Sequence, residues 1–335
     1  SMNEQVANAK RSRIVSVFQS IISKCTLALG LLTAGVFLFT LTGRYFFLAE
    51  LACNFRFQIL LALVAIGLIS VVVKRYRLAG LLAFLAFLAT SGTVSTYYPV
   101  AQTAATSQTL RIMSFNVLVT NRDYQSFIAE VLKQDPDVLT IIEYSKKWND
   151  GLADFKKSYP YVVSKPRQHG FGVAIFSKYP LSDIRENKLP AINIDNPFLS
   201  AVVSFNEQAI RLAAVHAYSP TTRARLSFRN QQFERVAELL GDSKIPTVVV
   251  GDFNCTPWSP FLTDFQVKTG LRDSRQGFGN QATWPTQWKT FRIPIDHAFV
   301  SPEICVHDRY VGNATGSDHL PIILEISTET AKQND

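Results

Sequence analysis

Hydrophobic and polar positions follow two different patterns along this chain, one before about residue 95 and one after residue 110. In the first, three uncharged apolar runs at 25–43, 57–73 and 78–94 each approach the lower end of the roughly 17–25 residues that a membrane-spanning helix needs. Stretches such as LLTAGVFLFTLT, ILLALVAIGLISVVV and LAGLLAFLAFLAT are apolar all round, whereas a helix of a soluble bundle keeps a polar stripe. The pattern predicts three transmembrane helices forming an anchor over residues 1–99. A cleavable signal peptide explains the first run but leaves the other two without an explanation.

From Leu110 the texture changes to short β-rich runs that stop at polar residues: LRIMSFNV, DVLTIIEY, GFGVAIFSK, FLSAVVSF, IRLAAVHAY, TVVVGDFN, DHAFVS and PIILEIS. Between them, residues 123–134 and 225–241 carry apolar side chains at helical spacing, and Gly241 with Pro246 ends the second. Many strands with a few interleaved helices predict an α/β sandwich over residues 110–327, with helices outside the sheets. Small and polar residues at 100–109 read as a linker, and 328–335 as a polar tail.

Charge sharpens this division. The 335-residue chain is 47% apolar and 18% charged, with a formal charge of +8. Residues 1–99 hold nine Lys and Arg against two acids, and the rest hold 25 against 24, so the basicity belongs to the apolar part. Lys10, Arg11, Arg13 and Lys24 precede the first run and Lys74, Arg75 and Arg77 lie between the second and third, which by the positive-inside tendency puts both on the cytoplasmic side. Three spans then place everything after residue 100 outside the cytoplasm, which is the periplasm if the cell is Gram-negative. Four scattered cysteines match neither a disulfide scaffold nor a CxxC metal site.

Acidic, amide and imidazole side chains recur where apolar runs stop: Asn116, Glu143, His216, Asp252 with Asn254, Asp296, and Asp318 with His319. Strand ends are where a rigid scaffold presents reactive groups. Carboxylate and amide oxygens suit Mg²⁺ or Mn²⁺, while the Cys/His clusters of structural zinc are missing. His297 and His307 read as packing or surface residues. His169, in RQHGFGVAIFSK, has no motif, and Arg223 and Arg225 fit the start of a helix as well as a role in steering an anionic substrate.

The order SFNV (114–117), IIE (141–143), GDFNCTPWS (251–259), IDHAFVS (295–301) and GSDHLPI (316–322) resembles the endonuclease/exonuclease/phosphatase superfamily, over nearly all of residues 110–327. The resemblance implies a four-layer α/β/β/α sandwich and metal-dependent hydrolysis of phosphoesters. It implies that Glu143 is the main metal ligand, assisted by Asn116 and Asp318. Asp252 would orient or deprotonate the attacking water and Asn254 would bind a phosphate oxygen. His319, oriented by Asp296, and His216 would contact the phosphoryl group from two sides.

These readings favour a membrane-anchored phosphoesterase acting on a lipid or other envelope substrate. The near-neutral second part disfavours tight sequence-independent DNA binding, which needs many Lys and Arg contacts to phosphate. The alternatives are an extracytoplasmic nuclease acting on DNA or RNA, and an inactive protein that uses the fold only to bind. The expected partners are the phosphoester substrate and the bilayer, and nothing in the sequence calls for an obligate protein partner.

Overall fold

A computed structural model describes residues 2–90, 92–99, 108–192, 194–241 and 243–328. Most of the 100–109 linker and of the 328–335 tail lies outside the described residues. The chain divides into two units, Ser1–Val94 and Ser95–Asp335.

The first unit consists of helices α1 (Met2–Thr40), α2 (Phe47–Cys53), α3 (Arg56–Val72) and α4 (Tyr76–Thr90). By length and composition, Asn8–Thr40 is, among the described residues, the one helix able to cross a membrane by itself; α2 and α3 join it only if counted as one span bent by 73°. The expected three spans are corrected accordingly. At about 1.5 Å per residue, the 15 residues of α4 cover about 23 Å, short of a hydrocarbon core of about 30 Å. Leu63, Leu78, Leu82 and Leu85 pack the helices together, while Leu29, Leu32, Leu61, Leu68 and Phe87 face outward. Arg75 Nε donates to Ser23 Oγ at 2.7 Å, which draws the α3–α4 turn to the level of Lys24.

In the second unit, β1 (Leu110–Asn116), α5 (Tyr124–Gln134), β2 (Val138–Ile142), α6 (Lys146–Gly151), β3 (Tyr161–Lys165) and β4 (Val173–Ser177) come first. They are followed by β5 (Leu181–Lys188), β6 (Pro197–Phe205), β7 (Gln208–His216), α7 (Arg223–Leu240), β8 (Thr247–Asp252) and α8 (Pro260–Thr269). Last come β9 (Arg272–Asp273), β10 (Asp296–Val300), β11 (Ile304–Val311) and β12 (Ile322–Thr328). They form two six-stranded sheets, in the orders β11-β12-β1-β2-β4-β3 and β5-β6-β7-β8-β10-β9. Each sheet has one parallel pair near its middle, β1 with β2 and β7 with β8.

The period of two along each strand builds four layers. Ile112, Ile142, Leu212, Val250, Ala298 and Leu324 point between the sheets into one core. Their neighbours face helices: Met113, Phe115 and Ile141 pack on Phe127 of α5 and Trp148 of α6, and Val215, Val249 and Phe299 pack on Phe233 of α7 and Phe265 of α8. Each fully buried aliphatic side chain in these layers contributes about 1.5–3 kcal/mol of transfer free energy.

Two boundaries differ from expectation. Helix α7 begins two residues earlier because the Thr222 side chain caps it, accepting from Arg225 N. The second unit begins before the expected 110: the Thr96 carbonyl accepts the N–H groups of both Gly277 and Gly279, at 2.9 Å each. Residues 96–99, assigned from sequence to the anchor, therefore lie against the α/β unit. All eight β-rich runs read from sequence are strands; β3, β5, β9 and β11, which the pattern missed, are the four sheet edges.

Candidate active site

Continuing the strand alternation past the inter-sheet core brings the polar residues together. Asn116 follows Leu110 and Ile112 on the same face of β1, His216 follows Leu212 and Ala214 on β7, and Asp252 follows Val248 and Val250 on β8. Asp296 opens β10 directly opposite Asp252, and His216 is Asp252's partner in the parallel pair. Gly251 permits this close pairing: a Cβ there would stand 1.9 Å from the Val215 carbonyl oxygen. Glu143 breaks the alternation. Its parity points it at the helix layer, but a φ of 65° turns it back, a left-handed conformation that costs a non-glycine residue on the order of 1 kcal/mol.

Asp252 is the focus. Its Oδ2 accepts from Asn116 Nδ2 at 3.0 Å, and the Nε2 atoms of His216 and His319 flank it at 3.7 Å each. Its Oδ1 accepts from the backbone N–H of Asn254 at 2.8 Å, a residue also held at positive φ. Asn116 Nδ2 also donates to Glu143 Oε1 at 3.2 Å, while Val119 N donates to Glu143 Oε2 at 2.7 Å. One amide thus ties the carboxylates from the two sheets together.

The two histidines are held differently. His216 Nδ1 donates to the Gly170 carbonyl at 2.7 Å, so Nε2 faces Asp252 and Glu143, the latter at 4.0 Å. His319 Nδ1 pairs with Asp296 Oδ2 at 2.8 Å. Burial opposes a charge on His319, yet the Asp296 and Asp252 carboxylates outweigh it and push its pKa up to about 10. Asp252 moves upward as well, chiefly through burial, against the pull of His319.

Several supporting residues carried no motif signal. Thr283 Oγ1 donates to Asp296 Oδ2 at 2.5 Å. Ser317 Oγ donates to the Asn116 carbonyl at 2.7 Å and accepts from His319 N at 3.1 Å, joining the loop before β12 to the end of β1. A buried threonine or serine has no signature of its own in sequence, because its partners lie far along the chain.

The remaining expected residues are placed unevenly. Asp318 accepts from the Trp284 indole at 2.9 Å, and among the described residues it has no hydrogen bond or ion pair with Asn116 or Glu143; its Oδ1 is buried without a partner. Asn254 Nδ2 donates to the Ala217 carbonyl at 2.9 Å, so its side chain braces a loop. His169 sits beside Gly170 and Phe171, with its pKa lowered first by burial and then by Arg167. Arg225 lies over the Tyr218 ring, which meets Phe171, itself against His216; Arg223 is exposed. His297 points to the helix side and bonds the Cys255 carbonyl, and His307 bonds Ser327.

The donor set fits a hard divalent cation. The carboxylates of Glu143 and Asp252, bridged by the Asn116 amide, and of Asp296, paired with His319, gather hard oxygen donors in one place. Donor atoms of Asp252, Asp296 and His319 lie within 4.8 Å of one another. Since His319 Nδ1 is already paired with Asp296, that trio is better suited to proton handling, and Glu143 with Asn116 to the metal.

The sequence profile of the endonuclease/exonuclease/phosphatase family matches residues 113–319, more than half of the chain. The chain belongs to this family. Among solved structures, an endonuclease/exonuclease/phosphatase from Beutenbergia cavernae aligns with 17% identity and a TM-score of 0.54, covering 67% of this chain and 72% of that one. D. rerio TDP2 complexed with a single-strand DNA product aligns with 18% identity and a TM-score of 0.58, covering 66% of this chain and all of that one. The human nocturnin catalytic domain with a bound sulfate aligns with 18% identity and a TM-score of 0.53, covering 66% and 93%. At such identities the likeness establishes the fold. No curated protein sequence matches the chain.

Proposed function

We propose that this family member is a divalent-metal-dependent phosphoesterase, anchored in a membrane by its N-terminal helices, with a lipid or other envelope phosphoester as substrate. The observation that carries the reading is the convergence of Asn116, His216 and His319 on one oxygen of Asp252, with the Asp296–His319 pair behind it. In-line attack by water needs a group that takes its proton, positive charge at the phosphoryl oxygens, and help for the leaving oxygen. Asp252, oriented by Asn116 and the Asn254 N–H, takes the proton. His319, held protonated by Asp296, donates toward the phosphoryl group, and His216 faces it from the other sheet. Glu143 and Asn116 would hold Mg²⁺ or Mn²⁺, with Asp318 Oδ1 a further oxygen donor. A divalent cation supplies charge neutralisation on the phosphoryl oxygens.

Anchoring rests on the apolar outward face of the first unit and on the basic α3–α4 turn, drawn to the same level as Lys24. Alkaline carbonate extraction of membranes should leave the full chain in the pellet. A second reading, nuclease activity, is favoured by one observation, that D. rerio TDP2 carries this fold with a DNA product.

The deciding assay is Mg²⁺- or Mn²⁺-dependent hydrolysis of bis(p-nitrophenyl) phosphate by the detergent-purified full chain, followed by panels of phospholipid and DNA. Metal-stimulated turnover lost in Glu143→Gln supports the reading. Folded wild-type protein with no turnover on any panel sinks it in favour of a binding protein.

A further inference from the structure

A cavity of about 330 Å³ opens beside Glu143. Its walls include Arg122, Lys146, Lys147 and Gln168, with Asp150 as the single carboxylate. It adjoins the site through two loops. Val119 lines it and donates its N–H to Glu143 Oε2, and Gln168 leads into Gly170, whose carbonyl holds His216.

The three cations stand apart from most others in this unit. Arg111, Lys165, Arg167, Lys178, Arg185 and Lys268 each pair with a carboxylate. Among the described residues, Arg122, Lys146 and Lys147 form no ion pair; Arg122 Nη1 donates only to the carbonyls of Val119 and Asn121. Three like charges against the single carboxylate of Asp150 leave this concave surface with excess positive charge, and an anion relieves the repulsion among them.

From this we infer that the cavity is a binding site for a second anionic group of the substrate, a phosphate beyond the scissile one, carried on a compact headgroup. The inference rests on the phosphoesterase reading above and names its substrate class. The size argues for a headgroup: about 330 Å³ is at the small end of ligand clefts. A nucleic-acid strand asks for a basic track over several phosphates, and residues 100–335 carry a net charge of only +1. A lipid whose headgroup bears an extra phosphate meets both conditions.

The test compares two lipids that differ by one phosphate, phosphatidylinositol and phosphatidylinositol 4-phosphate, in detergent micelles with the full-length protein. Metal-dependent turnover is measured for wild type and for Lys146→Gln/Lys147→Gln with Arg122→Gln, alongside bis(p-nitrophenyl) phosphate and a DNA duplex. The wild type should show the lower KM on the phosphorylated lipid. The variant should lose that preference by about tenfold or more, as expected for removing partly exposed ion pairs, while keeping its thermal midpoint and its turnover of bis(p-nitrophenyl) phosphate. Equal KM values for the two lipids in the wild type overturn the inference and leave the phosphoesterase reading standing. Loss of DNA nicking in the variant, with lipid turnover intact, overturns it in favour of a nucleic-acid contact. If no substrate is turned over, binding of the same two micelles, measured by calorimetry, decides: tighter wild-type binding of the phosphorylated lipid that the variant lacks supports the cavity's role, and equal binding rejects it.

Discussion

Strand β10 separates two buried polar regions of opposite character. On its inter-sheet face, Asp296 leads to His319 and Asp252; on its helix-facing side, His297 reaches the Cys255 carbonyl. His319 is 5% exposed and His297 is fully buried, so desolvation works against a charge on both. His319 nevertheless has its pKa raised to about 10, whereas burial, reinforced by Arg275, lowers that of His297 to about 4. Burial alone therefore does not decide the protonation of a histidine here. The partners do: two carboxylates prevail on one side, while on the other a neutral carbonyl accepts from the ring and the Asp273 carboxylate is offset by the Arg275 and Arg309 guanidiniums.

The largest effect expected on this contrast comes from removing its focus. Asp252→Asn should lower metal-dependent turnover by about 10³–10⁴, with a thermal midpoint within about 3 °C of wild type, because burial already disfavours the carboxylate charge. Wild-type rates from the folded variant would remove Asp252 from the chemistry.

Next in size, His319→Gln should cost about 10²–10³ in turnover, whereas His297→Gln should change turnover less than about threefold, its imidazole lying outside the reacting region. Equal losses for the two variants would collapse the comparison.

Stability against pH, measured by denaturant unfolding in EDTA, should separate the histidines with opposite signs. The folded pKa of His297 lies below its ordinary value of 6.5, so between about 4 and 6.5 the unfolded chain binds the extra proton. Wild type should therefore lose stability relative to His297→Gln as pH falls through that window, by on the order of 3 kcal/mol. The folded pKa of His319 lies above 6.5, so its contribution is fully present below 6.5 and is lost as pH rises toward about 10. Parallel pH curves for wild type and both variants would contradict these assignments.

Among the residues assigned to the site, the smallest expected effect is at Thr283. Thr283→Val removes the hydroxyl that steadies Asp296 and should lower turnover by about three- to tenfold, with His319 releasing its proton at a shifted pH in the basic limb of the rate profile. An unchanged pH profile would reduce Thr283 to packing.

Legibility in the sequence followed burial. Interior strands such as LRIMSFN, TVVVGD and DHAFV are buried along both faces, so their apolar runs announce them. Edge strands do not: LSDIRENK of β5 is exposed along most of its length, and its polar residues hide a strand that pairs on one side only. The same rule held at the site. Asn116, His216 and Asp252 end apolar runs and Asp296 begins one, so they were visible, whereas Thr283 and Ser317 act through partners far away in sequence and were not. In the apolar unit, the composition of three helices was readable, but their lengths and the 73° bend between α2 and α3 were not.

By itself, then, the sequence determined which faces of the strands are apolar, where those runs stop, and which chemically active side chains stand at the stops. These are local matters, settled by the two-residue period of a strand and by the transfer free energy of each side chain. Only the tertiary structure decided that Asn116 bridges carboxylates from two sheets, that Glu143 turns back through a left-handed backbone, and that His319 is charged while His297 is neutral. Each of these depends on electrostatic and hydrogen-bond partners brought together from distant parts of the chain, and their energies are set by distance and burial in the folded state.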